Sequence, residues 1–349
     1  MKKLKETLES INKLDCESMK KAKLRLDNLT KPVGSLGRLE EIAIKLAGIT
    51  GNSIPQVKNK AHIVMVGDHG VVEEGVSAYP QEVTSLMVKN FINKGAAINV
   101  FTSQQGVDLI LVDIGMKDKI ESETVLQYKV RAGTGNFARE LAMSVEEAAK
   151  ALEVGMIVTE QLIENDVDLI STGEMGIGNT TSSSAILAVL SNSPLEDIVG
   201  SGTGLVTEKI SYKRKIIKEA LELHKPDPDD ALDILSKVGG LEIAGMAGCM
   251  LAAAANKKPV IVDGFISGAA ALIAQKLNPL VVEYILPSHI SAEPGHIKMY
   301  ELLGLKPFLD LDMRLGEGTG ALLAVNIIEA SCNMLQKMAT FAEAGIKRG

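Results

Sequence analysis

The sequence predicts an α/β protein built on a doubly wound parallel sheet with helices on both faces. Three observations predict it. Short aliphatic runs alternate with segments of helical period through the middle of the chain. Glycines, carboxylates and histidines gather where those runs end. Both chain termini read as helices with no strand between them.

The runs are His62–Val66, Asp108–Val112, Val167–Ser171, Pro259–Val262, Leu280–Leu286 and Pro307–Leu311. Each is brief and mostly non-alternating, the pattern of a strand covered on both faces. Between them the helical period returns. Ser144-Val-Glu-Glu147 is a capping box that opens a helix toward Asn165, since hydroxyl and carboxylate satisfy free amides reciprocally. Pro80 is placed as the first residue of a helix to Asn93, where its missing N–H costs nothing. Ile210–His224 and Gly264–Leu277 are further helices. Strands alternating with helices imply a parallel sheet. The most apolar stretch, Ile243–Ala255, is shorter than the ~20 residues of a membrane span. Its Gly245, Gly248 and alanines fit a buried helix in close contact. Residues 1–29 and 321–349 are expected to pack as a small helical subdomain beside a large α/β domain, 30–320.

Bulk properties exclude several functions. The 349 residues carry a net charge of −7, 3% aromatics and no Trp. Stacking platforms and basic tracts for nucleic acid are therefore missing. Cys16, Cys249 and Cys332 are far apart and odd in number, which reads as free thiols in a reducing cytoplasm, without disulfide or zinc framework. The N-terminal segment has early lysines but no apolar run after them, so it reads as an amphipathic helix rather than a signal peptide.

Ligands of an open parallel sheet bind outside the carboxyl ends of its strands. Here those ends hold Gly67-Asp68-His69-Gly70, Asp113, Gly173–Thr181, Asp263-Gly264, Pro287–His289 with Ser291–His296, and Asp310–Gly320. Gly173–Thr181 is either a phosphate-cradling turn or a tight βα turn. Its GxxGxG order, with no lysine following, is not a P-loop. Ser201–Gly204 is a second glycine turn. Lys213 after it is a phosphate partner or part of a solvated face with Lys209, Arg214 and Lys215. In Thr30–Glu40, Pro32 and Gly34 form a turn and Ser35 is a cap for the following helix; Lys31 and Arg38 are weak site candidates. Asp68 and His69 point to opposite faces of an extended chain, which favours pocket-shaping hydrogen bonds over a metal site. Gly75–Pro80 offers Ser77 and Tyr79 as a polar handle and a ring for an aromatic-base pocket. Glu317 stands between Gly316 and Gly318. That setting exposes a carboxylate as a base or ion-pair partner in a cleft.

TKPVGSLGRLE, GDHGV, GVSAYP, STGEMGIGNTT, PSHISAEPGH and LDLDMRLGEGTGA, in this order from about residue 30 to 325, together resemble the nicotinate-nucleotide–dimethylbenzimidazole phosphoribosyltransferase family. The resemblance implies a Rossmann-like sheet, a small helical domain drawn from the termini, a cytoplasmic homodimer and no metal or redox cofactor. It implies transfer of phosphoribose from nicotinate mononucleotide to 5,6-dimethylbenzimidazole in the making of the cobamide lower ligand. Glu317 is then the general base, and Glu174 and Asp263 face the sugar. Gly176, Gly202, Ser291, Gly295 and Lys213 surround the phosphate, and Ser77, Tyr79 and Leu315 line the base pocket. The residues alone leave two alternatives. One is a nicotinamide-dependent dehydrogenase, opposed by the missing GxGxxG with its downstream acid. The other is a non-catalytic binder of azoles or nucleotides.

Overall fold

A computed structural model describes residues 1–202 and 204–347; Thr203 of the second glycine turn and the last two residues of the expected terminal subdomain lie outside the described residues. The strands are β1 (Lys60–Gly67), β2 (Asp108–Gly115), β3 (Val125–Gln127), β4 (Leu169–Met175), β5 (Val260–Val262), β6 (Ile285–Pro287), β7 (His289–Ile290) and β8 (Leu309–Asp310). The first helices are α1 (Lys2–Ser10), α2 (Cys16–Asn28), α3 (Arg38–Thr50), α4 (Val83–Ile92), α5 (Ala97–Gln105), α6 (Val145–Glu164) and α7 (Asn179–Ser191). They are followed by α8 (Leu195–Ile198), α9 (Thr207–His224), α10 (Ala231–Val238), α11 (Leu241–Ala255), α12 (Phe265–Leu277), α13 (Gly295–Leu303) and α14 (Thr319–Lys337).

The expected α/β fold is present. Six strands form one parallel sheet in the order β3-β2-β1-β4-β5-β6. The order reverses between β1 and β4, which opens a crevice at their carboxyl ends. Successive side chains go to opposite faces, and both faces are dry. Ile63, Met65, Val260 and Val262 join one core with α6, α11 and α12. Val64, Val66 and Ile261 join the other with α3, α4, α5 and the first half of α14. Two-sided burial is why these runs lack polar alternation. A third apolar cluster joins Ala22, Leu26 and Leu29 of the N-terminal segment to Met334 and Leu335 near the C-terminus, through Ala43 and Ala47 of α3. α1 packs elsewhere: Leu4 and Ile11 belong to the α6–α11 core.

Several expectations need correction. Leu280–Leu286 is not one strand. Asn278 caps a 3-10 helix over Pro279–Tyr284, leaving only Ile285–Pro287 extended. Pro307–Leu311 shrinks to β8, which pairs with β7 in a separate two-stranded sheet. The sixth strand of the main sheet is instead β3, a three-residue edge strand too short to give an apolar run. α4 begins at Val83, because residues 80–82 form a tighter turn in which Val83 N–H donates to the Pro80 carbonyl. Ser35 is not the cap of α3. Gly37 holds that position, and Glu40 accepts the Leu36 N–H at 3.0 Å and pairs with buried Lys31 at 2.8 Å. Arg38 donates to the carbonyls of Lys306 and Pro307 and lies over Phe308, so this motif ties α3 to the segment before β8. Ser144 and Glu147 do form the capping box of α6.

The small residues of α11 permit backbone contact with α6. A Cβ on Gly155 would lie 1.9 Å from the Gly245 carbonyl oxygen, and one on Gly248 would lie 2.0 Å from that of Leu152. Among the described residues, no helix is long and apolar enough to cross a membrane. Gly248→Ala must separate the two helices, and it should destabilise the fold by about 1–3 kcal/mol, the usual cost of overpacking. An unchanged thermal midpoint in calorimetry would show that the contact has slack.

Candidate active site

A cavity of about 480 Å³ opens at the carboxyl ends of β4, β5 and β6. Its polar lining comes mainly from four places: Glu174 with the turn Gly176–Thr180, Asp263 with the start of α12, the segment His289–Glu293, and the loop Arg314–Glu317. Tyr79, Val83, Met87, Met175, Ile177 and Leu315 make an apolar wall.

Glu317 stands on an unusual backbone. Gly316, Glu317 and Gly318 all have positive φ, at 88°, 62° and 95°. A non-glycine residue held in the left-handed region costs on the order of 1–3 kcal/mol and persists only where its surroundings enforce it. The surroundings here leave no room beside the turn. A Cβ on Gly316 would meet Glu174 Oε1 at 2.4 Å, and one on Gly318 would meet the His62 ring at 1.9 Å. The flanking glycines therefore let Glu174 and His62 approach, in addition to permitting the turn. His62 Nε2 is 2.8 Å from the Glu317 carbonyl oxygen and Nδ1 is 2.7 Å from Ser171 Oγ. Burial drives the His62 pKa down to about 4, against the hydrogen bond to that carbonyl. The ring is neutral.

The Glu317 carboxylate faces the amino end of α5, where Ile98 N–H donates to Oε2 at 3.2 Å. Burial raises its pKa, the Ile98 bond opposes this, and Asp263 adds to it. Glu174 accepts a hydrogen bond from Asn179 Nδ2 on Oε2. Burial pushes its carboxyl up to about 8, with repulsion from Glu242 and Asp263 helping. Asp263 accepts from Ala321 N–H at 2.9 Å, in the first turn of α14. Burial still raises its pKa, against the nearby His289 and that amide. Three buried carboxylates thus share one cavity. Their charge is resisted by dehydration and each other, and supported by helix amino ends and Asn179. An occupant carrying positive charge relieves that strain.

The amino end of α7 opens on the same cavity through Ile177, Asn179 and Thr180, with Gly202 against Thr180. This is the geometry of an anion site. Lys213 is wholly buried, so the solvated-face alternative does not hold for it. Its Nζ donates to Thr180 Oγ1 at 3.0 Å, behind the cavity wall. Burial lowers its pKa to about 8, opposed by Glu293. Glu293 Oε1 accepts the Gly202 N–H at 2.9 Å and fixes the second glycine turn.

Of the residues singled out in the sequence, Glu317, Glu174, Asp263, Tyr79, Gly176, Gly202, Ser291 and Leu315 line the cavity. Lys213 stands one side chain behind it. Ser77 lies outside the lining, its Oγ accepting the Tyr79 N–H at 3.2 Å. Gly295 is also outside: the Ile198 carbonyl, Leu187 and Phe265 crowd the space where its Cβ would be. Asp68 and Asp113 turn away to accept backbone N–H groups of Lys117 and Met116. His69 meets Glu242 at 2.5 Å, both fully buried. The sequence carries no separate signal for Asn179 or Arg314; it offers His289 only as a structural histidine and Glu293 only as part of the Ser291–Gly295 segment, and all four line the cavity. Asn179 and Arg314 sit inside motifs already singled out, at positions where glycine and carboxylate drew the attention. His62 was read only as the start of a strand.

The sheet with its carboxylate-lined cavity is that of an α/β enzyme, and the comparison gives its class: a family model described as "Phosphoribosyltransferase" matches residues 11–346. Relatives are more specific. The chain is 53% identical to the nicotinate-nucleotide–dimethylbenzimidazole phosphoribosyltransferase of Alkaliphilus metalliredigens, over 99% of each chain. It is 52% identical to that of Desulforamulus reducens, again over 99% of each. The crystal structure of CobT from Thermus thermophilus superposes with a TM-score of 0.91 at 43% identity, covering 95% of this chain and 100% of that one. The chain belongs to the nicotinate-nucleotide–dimethylbenzimidazole phosphoribosyltransferase family, and it is a pentosyltransferase.

Glu174 gives a pH prediction. Folding raises its pKa from 4.5 to about 8. A raised carboxyl favours the folded state most at low pH, and that advantage is lost as pH climbs to the folded value. Glu174→Gln removes this loss. Urea melts of the empty proteins should show the variant gaining on the wild type between about pH 4.5 and 8, then holding its lead. Parallel stability curves across that window would mean that Glu174 is ionised throughout.

Proposed function

We propose that this enzyme transfers the 5-phosphoribosyl group of nicotinate mononucleotide to 5,6-dimethylbenzimidazole, giving α-ribazole 5′-phosphate and nicotinate, with Glu317 as general base. The carrying observation is the Glu317 carboxylate itself, held at the cavity by the left-handed turn with a raised pKa. The chemistry requires a base and no acid. Nicotinate mononucleotide is an N-glycosyl pyridinium, so nicotinate departs with the bonding electron pair and needs no proton. The benzimidazole attacks the anomeric carbon with one ring nitrogen, opposite the leaving group, and must lose the proton on the other. Attack from that side turns a β- into an α-linkage. A carboxylate whose pKa has moved toward neutrality is a better acceptor for that proton than an ordinary one.

The other groups divide along the substrate. Glu174 and Asp263 oppose the positive charge that builds on the ribose. The pyridinium favours their ionised forms, since an opposite charge lowers a carboxyl pKa. The 5′-phosphate belongs at the amino end of α7, among Gly176, Gly202 and Ser291, with Lys213 behind Thr180; Gly295 starts α13 away from the cavity and packs that helix against Ile198, Leu187 and Phe265. Tyr79 and Leu315 frame the azole at the apolar end, with Ser77 behind them holding the Tyr79 backbone. The family resemblance further supports a cytoplasmic homodimer and a place in cobamide lower-ligand synthesis.

Incubation with both substrates should release nicotinate and form α-ribazole 5′-phosphate. Intact binding with no nicotinate under any condition would leave a binding protein. Glu317→Gln should lower kcat by about 10²–10⁴-fold, the value of a positioned proton transfer, while calorimetry still detects azole binding. Near-wild-type turnover in that variant would give the proton to another group. Glu174→Gln and Asp263→Asn should slow the chemical step with smaller effects on azole affinity. Loss confined to phosphate-bearing ligands would contradict their place beside the sugar.

A further inference from the structure

His62 has no atom in the cavity lining, yet it is the residue packed most tightly against the Glu317 turn. It is fully buried on β1. Its two nitrogens bridge Ser171 of β4 and the Glu317 carbonyl. A peptide carbonyl only accepts, so Nε2 carries the hydrogen. Nδ1 is then the acceptor of the neutral ring, and the Ser171 hydroxyl donates to it. Both neighbours of the ring are shaped to admit it. Gly318 has no Cβ where the ring lies, and a Cβ on Gly173 would be 2.6 Å from His62 Nε2 and 2.1 Å from the Glu317 carbonyl oxygen. The central strands β1 and β4 thereby hold the peptide group that joins Glu317 to Gly318, in the middle of the left-handed turn. Among the described residues, Ile98 N–H is the backbone donor to the carboxylate on the cavity side. That bond steadies one oxygen but does not fix the turn that carries it.

We propose that His62, oriented by Ser171, is the positioning residue for Glu317: it clamps the Glu317 carbonyl and so fixes where the carboxylate meets the substrate. It touches no substrate and moves no proton in the reaction. The proposal rests on Glu317 acting as the base. Glu174 and Asp263 face the backbone amides of Glu317 and Gly318, so losing the clamp frees the carbonyl side of the turn, and the carboxylate shifts with it while the rest of the cavity keeps its shape.

A double-mutant cycle tests this, because residues that act through one another are non-additive. His62→Leu removes the donor; His62→Gln keeps an N–H at similar reach. His62→Leu should lower kcat about 10–100-fold, the scale of a misplaced catalytic group, with KM for both substrates within about threefold. His62→Gln should recover most of that loss. In the Glu317→Gln background, His62→Leu should change kcat by less than about threefold. An equal loss in both backgrounds, or wild-type kcat in His62→Leu, overturns the proposal. Should His62→Leu fail to fold, Ser171→Ala runs through the same cycle; its loss must also vanish without Glu317. Wild-type turnover in Glu317→Gln alone would instead remove the base assignment on which the clamp depends.

Discussion

The site depends on one steric constraint, the left-handed turn at Gly316-Glu317-Gly318 pressed between the His62 ring and the Glu174 carboxylate. The turn carries backbone strain of order 1–3 kcal/mol, and the parallel sheet supplies what holds it. β1 contributes His62, and β4 contributes Ser171, Gly173 and Glu174. These two strands flank the point where the sheet order reverses. β4, which borders both that point and the cavity, therefore also supplies the walls that fix the loop.

Around that turn, electrostatics and burial pull in opposite directions. Glu174, Asp263 and Glu317 are nearly inaccessible and mutually repulsive, and each has its pKa raised. A cavity of this kind is costly when empty and rewards a cationic occupant. A pyridinium ribotide brings one charge at binding and spreads it over the ribose as the bond breaks, which suits carboxylates placed before the substrate arrives. In the proposed reading the anion is met by the amino end of α7, next to Glu174, whose carboxylate Asn179 of the same helix binds.

Much of this was legible in the sequence, and the gaps have physical causes. The central strands declared themselves through two-sided burial: Ile63 and Val64 go to opposite faces and both are dry. Glu317, Glu174 and Asp263 could be found because each sits at or beyond the carboxyl end of an aliphatic run and beside a glycine. β3 could not be found, since three edge residues make no pattern. Leu280–Leu286 misled because Pro279 and the Asn278 cap turn an apolar run into a 3-10 helix. Lys213 shows how composition can mislead. It stands among surface lysines on α9, and only its contact with Thr180 reveals the buried setting. His62 was hidden for a different reason. Its importance lies in a contact 255 residues away in sequence, and nothing local to β1 marks it.

The central claim is that the turn presents Glu317 to the acidic N–H of the azole. A crystal structure of the protein with 5,6-dimethylbenzimidazole bound measures it directly. The account predicts the ring flat against the Tyr79–Leu315 end of the cavity, with one ring nitrogen about 3 Å from a Glu317 carboxylate oxygen and the other turned toward Glu174 and Asp263. A ring bound with neither nitrogen within reach of Glu317, or with its N–H directed at Glu174 or Asp263, would contradict it.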